Sequence, residues 1–335
     1  MSKLIRIGLY GTNGHQLPLK PCARAEVVAV ADYARPVTDE IRVYESLEAM
    51  LQDDEIDLIS LCSARRIEQA AQAIRCLEAG KHVLAEKPCA FDVATLERIL
   101  ETAQHVGREF REMAATELTP QVQAIRRLVD RGALGEIVHV QAHKSYPWHA
   151  RRPQEIAVDG GLVRQVGIHA VRLIHGGTGL RITAIRGLST GLGNPGTGGI
   201  QMAAAFALEL ENGGVGSINL NYLNPPNFGR RNDADRPIWG NDQLRVFGTQ
   251  GMVETVDGYT RSTLYLAGQE MGIDLPMPAD LVSPVYIEHY VNYLLDGTPM
   301  PTPFVEEMAM TRATLALHEA TLSDQPVKVS YADRT

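Results

Sequence analysis

The first third of the chain alternates short apolar runs with segments of helical period. Runs rich in β-branched residues are followed by stretches whose apolar positions recur every three to four residues, the pattern of a parallel sheet covered by helices. The predicted strands are residues 4–9, 26–31, 56–62 and 82–85. The predicted helices are residues 66–79, ended by Gly80, and a segment starting at Val93 with Asp92 as its N-cap.

Beyond Pro120 the pattern changes. One helix over residues 122–129 ends at Gly132, and longer strands with two-residue alternation follow at 137–142, 203–210, 216–220, 244–247 and 252–256. Asn212-Gly213-Gly214 predicts a hairpin turn, residues 224–241 a long loop and residues 305–322 a helix. We therefore predict an α/β protein with a doubly wound parallel sheet over residues 1–118 and an α+β domain with a mostly antiparallel sheet over residues 119–335.

Composition narrows the function classes. The chain has 335 residues, 44% of them hydrophobic, enough for two cores. A formal charge of -8 without any Lys/Arg cluster argues against nucleic acid and acidic membranes as partners. No apolar run is long enough to span a bilayer and the first residues lack a secretory pattern, so we expect a cytoplasmic protein. The four cysteines are scattered at residues 22, 62, 76 and 89, which predicts buried thiols and no metal site.

The first strand runs into Gly8-Leu9-Tyr10-Gly11-Thr12-Asn13-Gly14. Glycines here allow a tight turn and a close approach of the backbone to a pyrophosphate, although an ordinary turn is the alternative. Counting from Gly11, Asn13 and Gln16 stand where the second and third glycines of a dinucleotide motif belong. Pro18 and Pro21 leave room for at most a short helix afterwards. We predict cofactor contacts from Gly8, Gly11, Thr12, Asn13 and Gly14.

Asp32 closes the second predicted strand. The carboxylate that accepts the adenosine ribose hydroxyls is expected roughly 20 positions after the turn, and Asp32 lies close to that spacing. A carboxylate here also repels a 2′-phosphate, which favours NAD, and the nearby Arg35 keeps NADP as the alternative.

Residues 79–88, Ala-Gly-Lys-His-Val-Leu-Ala-Glu-Lys-Pro, resemble the Gfo/Idh/MocA family of glucose-fructose oxidoreductase and inositol dehydrogenase relatives. Further matches occur at Gly132-Ala133-Leu134-Gly135-Glu136-Ile137, Gly160-Gly161-Leu162, Gly167-Ile168-His169 and Phe247-Gly248-Thr249-Gln250-Gly251. The resemblance implies a Rossmann domain, a second domain whose large open-faced sheet serves oligomer contacts in a dimer or tetramer, and a small carbohydrate-like substrate.

The same resemblance implies the reacting groups. Lys87 corresponds to the catalytic lysine, with Ser63 and Glu86 beside the cofactor. His169 corresponds to the histidine of the family motif D-x-G-x-H, which exchanges a proton with the reacting oxygen. Gln165 replaces the aspartate of that motif, and an amide can hydrogen-bond a substrate but cannot carry charge or take a proton.

Other departures concern the substrate. Glu117 precedes Pro120 where the family often has an arginine, and Arg172 stands where a second aspartate would follow the histidine. Guanidinium groups suit carboxylates and phosphates, which predicts an anionic substrate unless these arginines are solvated surface residues. Trp148 and His149, next to Tyr146 and Pro147, predict either an aromatic wall for a sugar ring or, equally, a structured loop or subunit contact. The predicted substrate residues are Trp148, His149, Arg164 and Arg172, with Arg151 and Arg152 nearby.

Two functions therefore stay open. The first is an NAD(P)-dependent oxidoreductase acting on a sugar, polyol or sugar acid, favoured by the retained Lys87 and His169. The second is a non-catalytic sensor or regulatory protein with the same fold, favoured by Gln165 and by the glycines missing from the turn.

Overall fold

A computed structural model describes residues 4–148, 152–224, 240–256 and 261–331. The chain divides into two compact units. The first unit comprises residues 1–114, 157–160 and 285–307, and the second comprises residues 115–156, 161–284 and 308–335. The predicted division after residue 118 lies near the first break in this partition, whereas residues 285–307, predicted in the second domain, belong to the first unit.

The N-terminal part contains a sheet of six parallel strands in the order β3-β2-β1-β4-β5-β6. This is the strand order of a Rossmann fold, as predicted. The strands are β1 (Ile5–Tyr10), β2 (Ala25–Ala31), β3 (Arg42–Tyr44), β4 (Leu58–Leu61), β5 (His82–Glu86) and β6 (Phe110–Met113), and the helices are α1 (Leu47–Leu51), α2 (Gln69–Glu78) and α3 (Val93–Val106).

Helix α3 shows how local signals set the helix bounds. The Asp92 carboxylate accepts a hydrogen bond from the Thr95 backbone N–H at 2.7 Å, which confirms the predicted N-cap. Gly107 ends the helix in the left-handed region with φ of 63°. The other predicted helix, residues 66–79, is a 3₁₀ turn over Arg66–Glu68 followed by α2.

The connection from β1 to β2 contains no helix. All of residues 11–24 are described, and they form turns, bends and one isolated bridge. The short helix allowed for in this segment is therefore absent. Pro18 and Pro21 each lack a backbone N–H and restrict the residue before them, which disfavours a helix here. Residues 32–41, between β2 and β3, are likewise without a helix.

The rest of the chain builds a nine-stranded sheet in the order β14-β13-β12-β11-β7-β10-β9-β8-β15. Only the β7–β10 pair is parallel among its described pairs, so the prediction of a mostly antiparallel sheet is confirmed. The elements are α4 (Pro120–Asp130), β7 (Ile137–Pro147), α5 (Ile156–Asp159), α6 (Gly161–Thr178), β8 (Ile182–Thr190), β9 (Ala203–Leu210), β10 (Val215–Asn224), β11 (Asn241–Gly248), β12 (Gly251–Val256), β13 (Arg261–Leu266), β14 (Ile273–Asp274), α7 (Tyr286–Asp296), α8 (Phe304–Ala320) and β15 (Val327–Lys328).

One face of this sheet packs on α6 and the other is open. Along β9 the side chains of Ala204, Phe206, Leu208 and Leu210 are buried, whereas the alternate positions 205, 207 and 209 are exposed. The predicted hairpin turn at Asn212-Gly213-Gly214 joins β9 to β10, with Gly213 at φ of 85°. Of the predicted loop over residues 224–241, residues 225–239 lie outside the described residues.

The described part of the chain lacks both a membrane-spanning helix and a metal-binding group of side chains. None of its helices combines the length and apolar character that crossing a bilayer requires. No group of three or more His, Cys, Asp or Glu side chains there is arranged to hold a metal ion, and all four cysteines are free thiols.

Candidate active site

The turn after β1 is fixed to the ends of its two neighbouring strands. Gly11 has φ of 71°, and a Cβ atom placed on it would lie 2.0 Å from the carbonyl oxygen of Cys62, so only glycine fits. The Gly11 N–H donates to the Ala31 carbonyl at 3.1 Å and the Asn13 N–H donates to the Cys62 carbonyl at 3.3 Å. The turn therefore lies at the carboxyl edge of the parallel sheet, where folds of this kind bind ligands.

The two residues that replace motif glycines are anchors of this turn. The Asn13 side-chain Nδ2 donates to the carbonyls of Ala64 at 3.1 Å and Val158 at 2.9 Å. The buried Gln16 side-chain Nε2 donates to the carbonyls of Tyr10, Gly11 and Ser60, at 3.0, 3.0 and 3.1 Å. These positions have thus lost glycine but fix the same stretch of backbone.

Glu86, at the end of β5, lies against the turn. Its carboxylate accepts the His15 backbone N–H at 3.2 Å and lies 2.9 Å from the His15 Nδ1. A Cβ atom on Gly14 would lie 2.8 Å from the Glu86 Cδ. Burial would raise the pKa of Glu86, but the hydrogen bond from His15 and the charge on Lys87 together hold this pKa below its ordinary value. The site therefore contains a buried carboxylate.

Lys87 and Ser63 also lie at this edge of the sheet. Lys87 follows β5 directly and is only 2% exposed, and the bond to Pro88 is a cis peptide. Ser63 follows β4 and is fully buried; its N–H donates to Gln69 Oε1 at 3.2 Å and its hydroxyl donates to Gln72. Lysine is rarely so fully buried unless it is paired, and the charge of Lys87 acts on the neighbouring Glu86.

One predicted cofactor residue lies elsewhere. Gly8 sits inside β1, and a Cβ atom placed on it would lie 3.0 Å from Ile59 and 3.1 Å from Met50. Its missing side chain makes room for core packing, so the expectation that Gly8 contacts a cofactor is corrected.

The first unit nevertheless fits a dinucleotide. The N–H groups of Thr12 and Gly14 donate to no group within the described residues, so both remain for the oxygens of a phosphate. Asp32 is exposed at the end of β2, next to Ala31, which binds the turn. A phosphate-binding turn and a carboxylate on the adjacent strand end are the two parts that a dinucleotide requires.

In the second unit, Gln165 and His169 share one face of α6. They are partly exposed on a helix whose neighbouring residues are buried, and the four-residue spacing places them one turn apart. His169 Nδ1 lies 2.8 Å from the Thr116 hydroxyl, and His169 Nε2 lies 3.4 Å from the Tyr146 hydroxyl. The imidazole is therefore held on both sides by hydroxyl groups, which can either donate or accept.

Two residues near His169 in sequence or structure, Glu117 and Arg172, differ in charge from the family pattern, and they bind each other. Arg172 is fully buried, and its Nη1 donates to the Glu117 Oε1 at 2.6 Å. Arg164 is also buried, and its charge adds to the effect of burial in lowering the pKa of His318 to about 4. The expectation that Arg172 meets a substrate anion is therefore revised, because its guanidinium pairs with Glu117, whereas the same expectation for Arg164 stays a prediction.

The predicted aromatic wall is partly described. Trp148 packs edge-to-face on Tyr222, with ring centroids 6.4 Å apart, and the Arg152 guanidinium lies 3.7 Å from the centre of the Tyr222 ring. His149 and Arg151 lie outside the described residues. Close by in sequence, Lys144 and Tyr146 project from β7, and the Lys144 ammonium bonds Asp242 at 2.6 Å.

Sequence reasoning missed several of these groups. Arg66 and His15 in the first unit and Thr116, Lys144 and Asp242 in the second carried no motif, and only their hydrogen bonds within each unit identify them. The pairing of Glu117 with Arg172 did leave a signal, because both positions differ from the family pattern with opposite sign.

Comparison with known proteins gives a consistent result. A family model described as the oxidoreductase family with an NAD-binding Rossmann fold matches residues 6–112, and a model of the GFO/IDH/MocA C-terminal domain matches residues 122–254. An uncharacterized oxidoreductase of Rhizobium meliloti is 30% identical over 55% of this chain. The dTDP-3,4-didehydro-2,6-dideoxy-alpha-D-glucose 3-reductase of Streptomyces violaceoruber is 29% identical over 56% of it.

The chain spans less than two thirds of the length of these two relatives. Each of these two matches spans only 60% of the relative's own length. An oxidoreductase structure from Thermotoga maritima superposes with a TM-score of 0.82, covering 97% of this chain and all of that one, at 23% identity. This structural similarity concerns the fold alone.

Proposed function

Because this chain belongs to the Gfo/Idh/MocA family of NAD-binding oxidoreductases, we propose that it is an NAD(P)-dependent dehydrogenase or reductase of a sugar, polyol or sugar acid. The observation that carries the proposal is the buried Lys87, which follows Glu86 at the carboxyl edge of the parallel sheet. NAD, when bound, would supply or accept the hydride.

The proposed role of Lys87 is to hold and exchange the proton of the reacting oxygen. An ammonium can donate a hydrogen bond to a carbonyl or hydroxyl and stabilise the negative charge that develops there. A buried position strengthens that interaction because water screens it less.

His169 is the second proposed proton carrier. Its Nδ1 contact with Thr116 fixes the plane of the ring, and the Nε2 side faces the Tyr146 hydroxyl at the looser distance of 3.4 Å. Either tautomer is compatible, since the Thr116 hydroxyl can donate or accept. Gln165, one turn earlier on α6, is proposed to orient a substrate hydroxyl through its amide.

The proposed substrate contacts are Trp148 and Arg152, which both lie against the buried ring of Tyr222. The flat indole of Trp148 suits the apolar face of a sugar ring, and the Arg152 guanidinium suits a carboxylate or phosphate. The relative from Streptomyces violaceoruber is a reductase of a dTDP-linked deoxysugar, which supports a phosphorylated sugar among the candidates.

The experiment starts with binding. NADH and NADPH are titrated into the full chain and followed by cofactor fluorescence, and turnover is then screened on neutral sugars, polyols, sugar acids and nucleotide sugars. Lys87→Met should lower kcat by about 100-fold or more while NADH still binds, because it removes the proton carrier. Lys328→Met, on an exposed strand position, is the matched control and should leave kcat unchanged.

Two outcomes would contradict the proposal. Failure of wild type to bind either cofactor at millimolar concentration excludes a dehydrogenase, and unchanged turnover in Lys87→Met removes Lys87 from the reaction. The second candidate function, a sensor without turnover, is favoured by the neutral Gln165 in place of aspartate. It is supported if NADH binds tightly but no member of the substrate panel is oxidised or reduced.

A further inference from the structure

The turn after β1 lacks the helix that normally supports a bound pyrophosphate. In dinucleotide-binding folds the first helix aims its N-terminal N–H groups and its positive dipole end at the phosphates. Residues 11–24 contain no helix here. A turn of this kind needs another source of oriented donors and positive charge.

Two N–H groups of the turn are available to a ligand. The N–H groups of Thr12 and Gly14 donate to no group within the described residues, whereas the intervening Asn13 N–H donates to the Cys62 carbonyl. Their peptide bonds are trans, so each N–H points away from the carbonyl of the preceding residue. The direction of both donors is therefore set by whatever holds the carbonyls of Gly11 and Asn13.

Two buried side chains hold those carbonyls. Gln16 Nε2 donates to the Gly11 carbonyl at 3.0 Å, and Arg66 Nη2 donates to the Asn13 carbonyl at 2.6 Å. A carbonyl that accepts a hydrogen bond makes the N–H of the same peptide a stronger donor, as happens along a helix. Gln16 and Arg66 therefore orient and polarise the Thr12 and Gly14 N–H groups from the opposite side of the turn.

Both side chains are fixed. Gln16 is 6% exposed, and its Oε1 accepts from the Ser60 hydroxyl and from the Leu17 N–H. Arg66 is 1% exposed, its Nη1 donates to Gln69 Oε1, and its Nε has no hydrogen-bond partner among the described residues. Its guanidinium stays protonated although burial lowers its pKa. A buried positive charge therefore lies behind the turn, where it also interacts with the buried carboxylate of Glu86.

We infer that Gln16 and Arg66 together replace the missing helix N-terminus and present the Thr12 and Gly14 N–H groups to the pyrophosphate of a dinucleotide. Gln16 orients the first donor, and Arg66 orients the second and supplies the positive charge. This inference rests on the proposed function only in requiring that a dinucleotide binds.

The test measures binding. Dissociation constants for NADH, ADP-ribose and adenosine are determined for wild type, Arg66→Met and Gln16→Leu. Each variant should weaken NADH and ADP-ribose by about tenfold or more, the size expected for polarised hydrogen bonds to a charged group. Adenosine, which has no phosphate, should change by less than about twofold. Arg65→Met is the matched control, an exposed neighbour paired with Glu68, and should bind all three like wild type.

A second measurement does not depend on the variants folding. In the isotope-labelled wild type, ADP-ribose should shift the backbone amide resonances of Thr12 and Gly14 more than that of Asn13, whose N–H already donates to Cys62. Unshifted Thr12 and Gly14 resonances at saturation, or Arg66→Met and Gln16→Leu that fold and bind NADH normally, would overturn the inference. A wild type that binds no dinucleotide would instead refute the proposed function.

Discussion

The turn after β1 and the contact between residues 116–117 and α6 have both departed from the family pattern, but in different ways. In the turn, two glycine positions became Asn13 and Gln16, whose side chains now bind backbone carbonyls. At the second contact, Glu117, which precedes α4, and Arg172, on α6, stand where an arginine and an aspartate were expected, and they bind each other at 2.6 Å. The first change brought in new kinds of contact, and the second joins two replacements of opposite charge in one buried ion pair.

The difference teaches how each change becomes tolerable. A buried charge without its partner costs several kcal/mol, so an exchange at residue 117 is stable only with the opposite exchange at residue 172. Positions 13 and 16 of the turn require only that the backbone carbonyls be hydrogen-bonded, and any well-placed donor can do this, whereas position 11 still requires glycine. Departures from a motif are therefore better judged against the partner of the residue than position by position.

The largest expected effect tests the exchanged pair. Arg172→Met leaves the Glu117 carboxylate buried without its ion-pair partner, so the free energy of unfolding should fall by about 3–5 kcal/mol in chemical denaturation. Arg126→Met breaks an exposed pair with Asp130 and should cost less than about 1 kcal/mol. The double variant Glu117→Arg with Arg172→Glu should recover much of the loss. Equal stability of Arg172→Met and Arg126→Met would contradict this account.

The second prediction contrasts glycines in the two units. Gly11→Ala should cost at least about 3 kcal/mol, because the new Cβ must displace the Cys62 carbonyl in addition to adopting a positive φ. Gly213→Ala meets no atom within 4 Å in its hairpin and should cost only the backbone strain of about 1–2 kcal/mol. Thermal and urea unfolding would rank the two variants. Similar losses would show that the turn is not fixed by the Cys62 contact.

Much of the fold follows from local patterns. Strand β9 was predicted at its observed bounds and the Asp92 cap was identified, since both depend on short-range alternation and capping chemistry. Helix α7 was missed although its buried Ile287, Tyr290 and Val291 have a helical period and Gly297 ends it. That α7 belongs to the first unit could not be predicted, because the packing partners of Tyr290 lie about two hundred residues earlier.

The candidate site divides in the same way. Lys87, Glu86 and the turn were identified because they are contiguous motifs, each read within a few residues. Arg66 and Thr116 were not identified, because their roles depend on single distant hydrogen bonds. Arg66 binds Asn13 and Thr116 binds His169, and each pair is 53 residues apart in sequence. Strand β8 was also missed, since it contains Arg186 and Gly187 and leaves its final residues exposed.

The smallest expected effect compares one histidine in each unit. Burial, together with the charge of Arg108, lowers the pKa of His82 to about 4, and burial with Arg164 does the same for His318. These values lie below the unfolded value of about 6.5. Between pH 6.5 and 4 the unfolded chain therefore binds protons that the folded one does not, and stability falls as pH decreases.

After allowance for partial exposure, each histidine should account for about 1–2 kcal/mol of that loss. Protonation of His82 also removes the Nδ1 acceptor of the Glu109 N–H, bonded at 3.0 Å. Unfolding is measured by denaturant at pH 7.5 and pH 5 for wild type, His82→Asn and His318→Asn, and each variant should reduce the acid-induced loss. If the units unfold separately, each variant should affect only its own transition. A loss that is the same in all three proteins would assign the acid sensitivity to other groups.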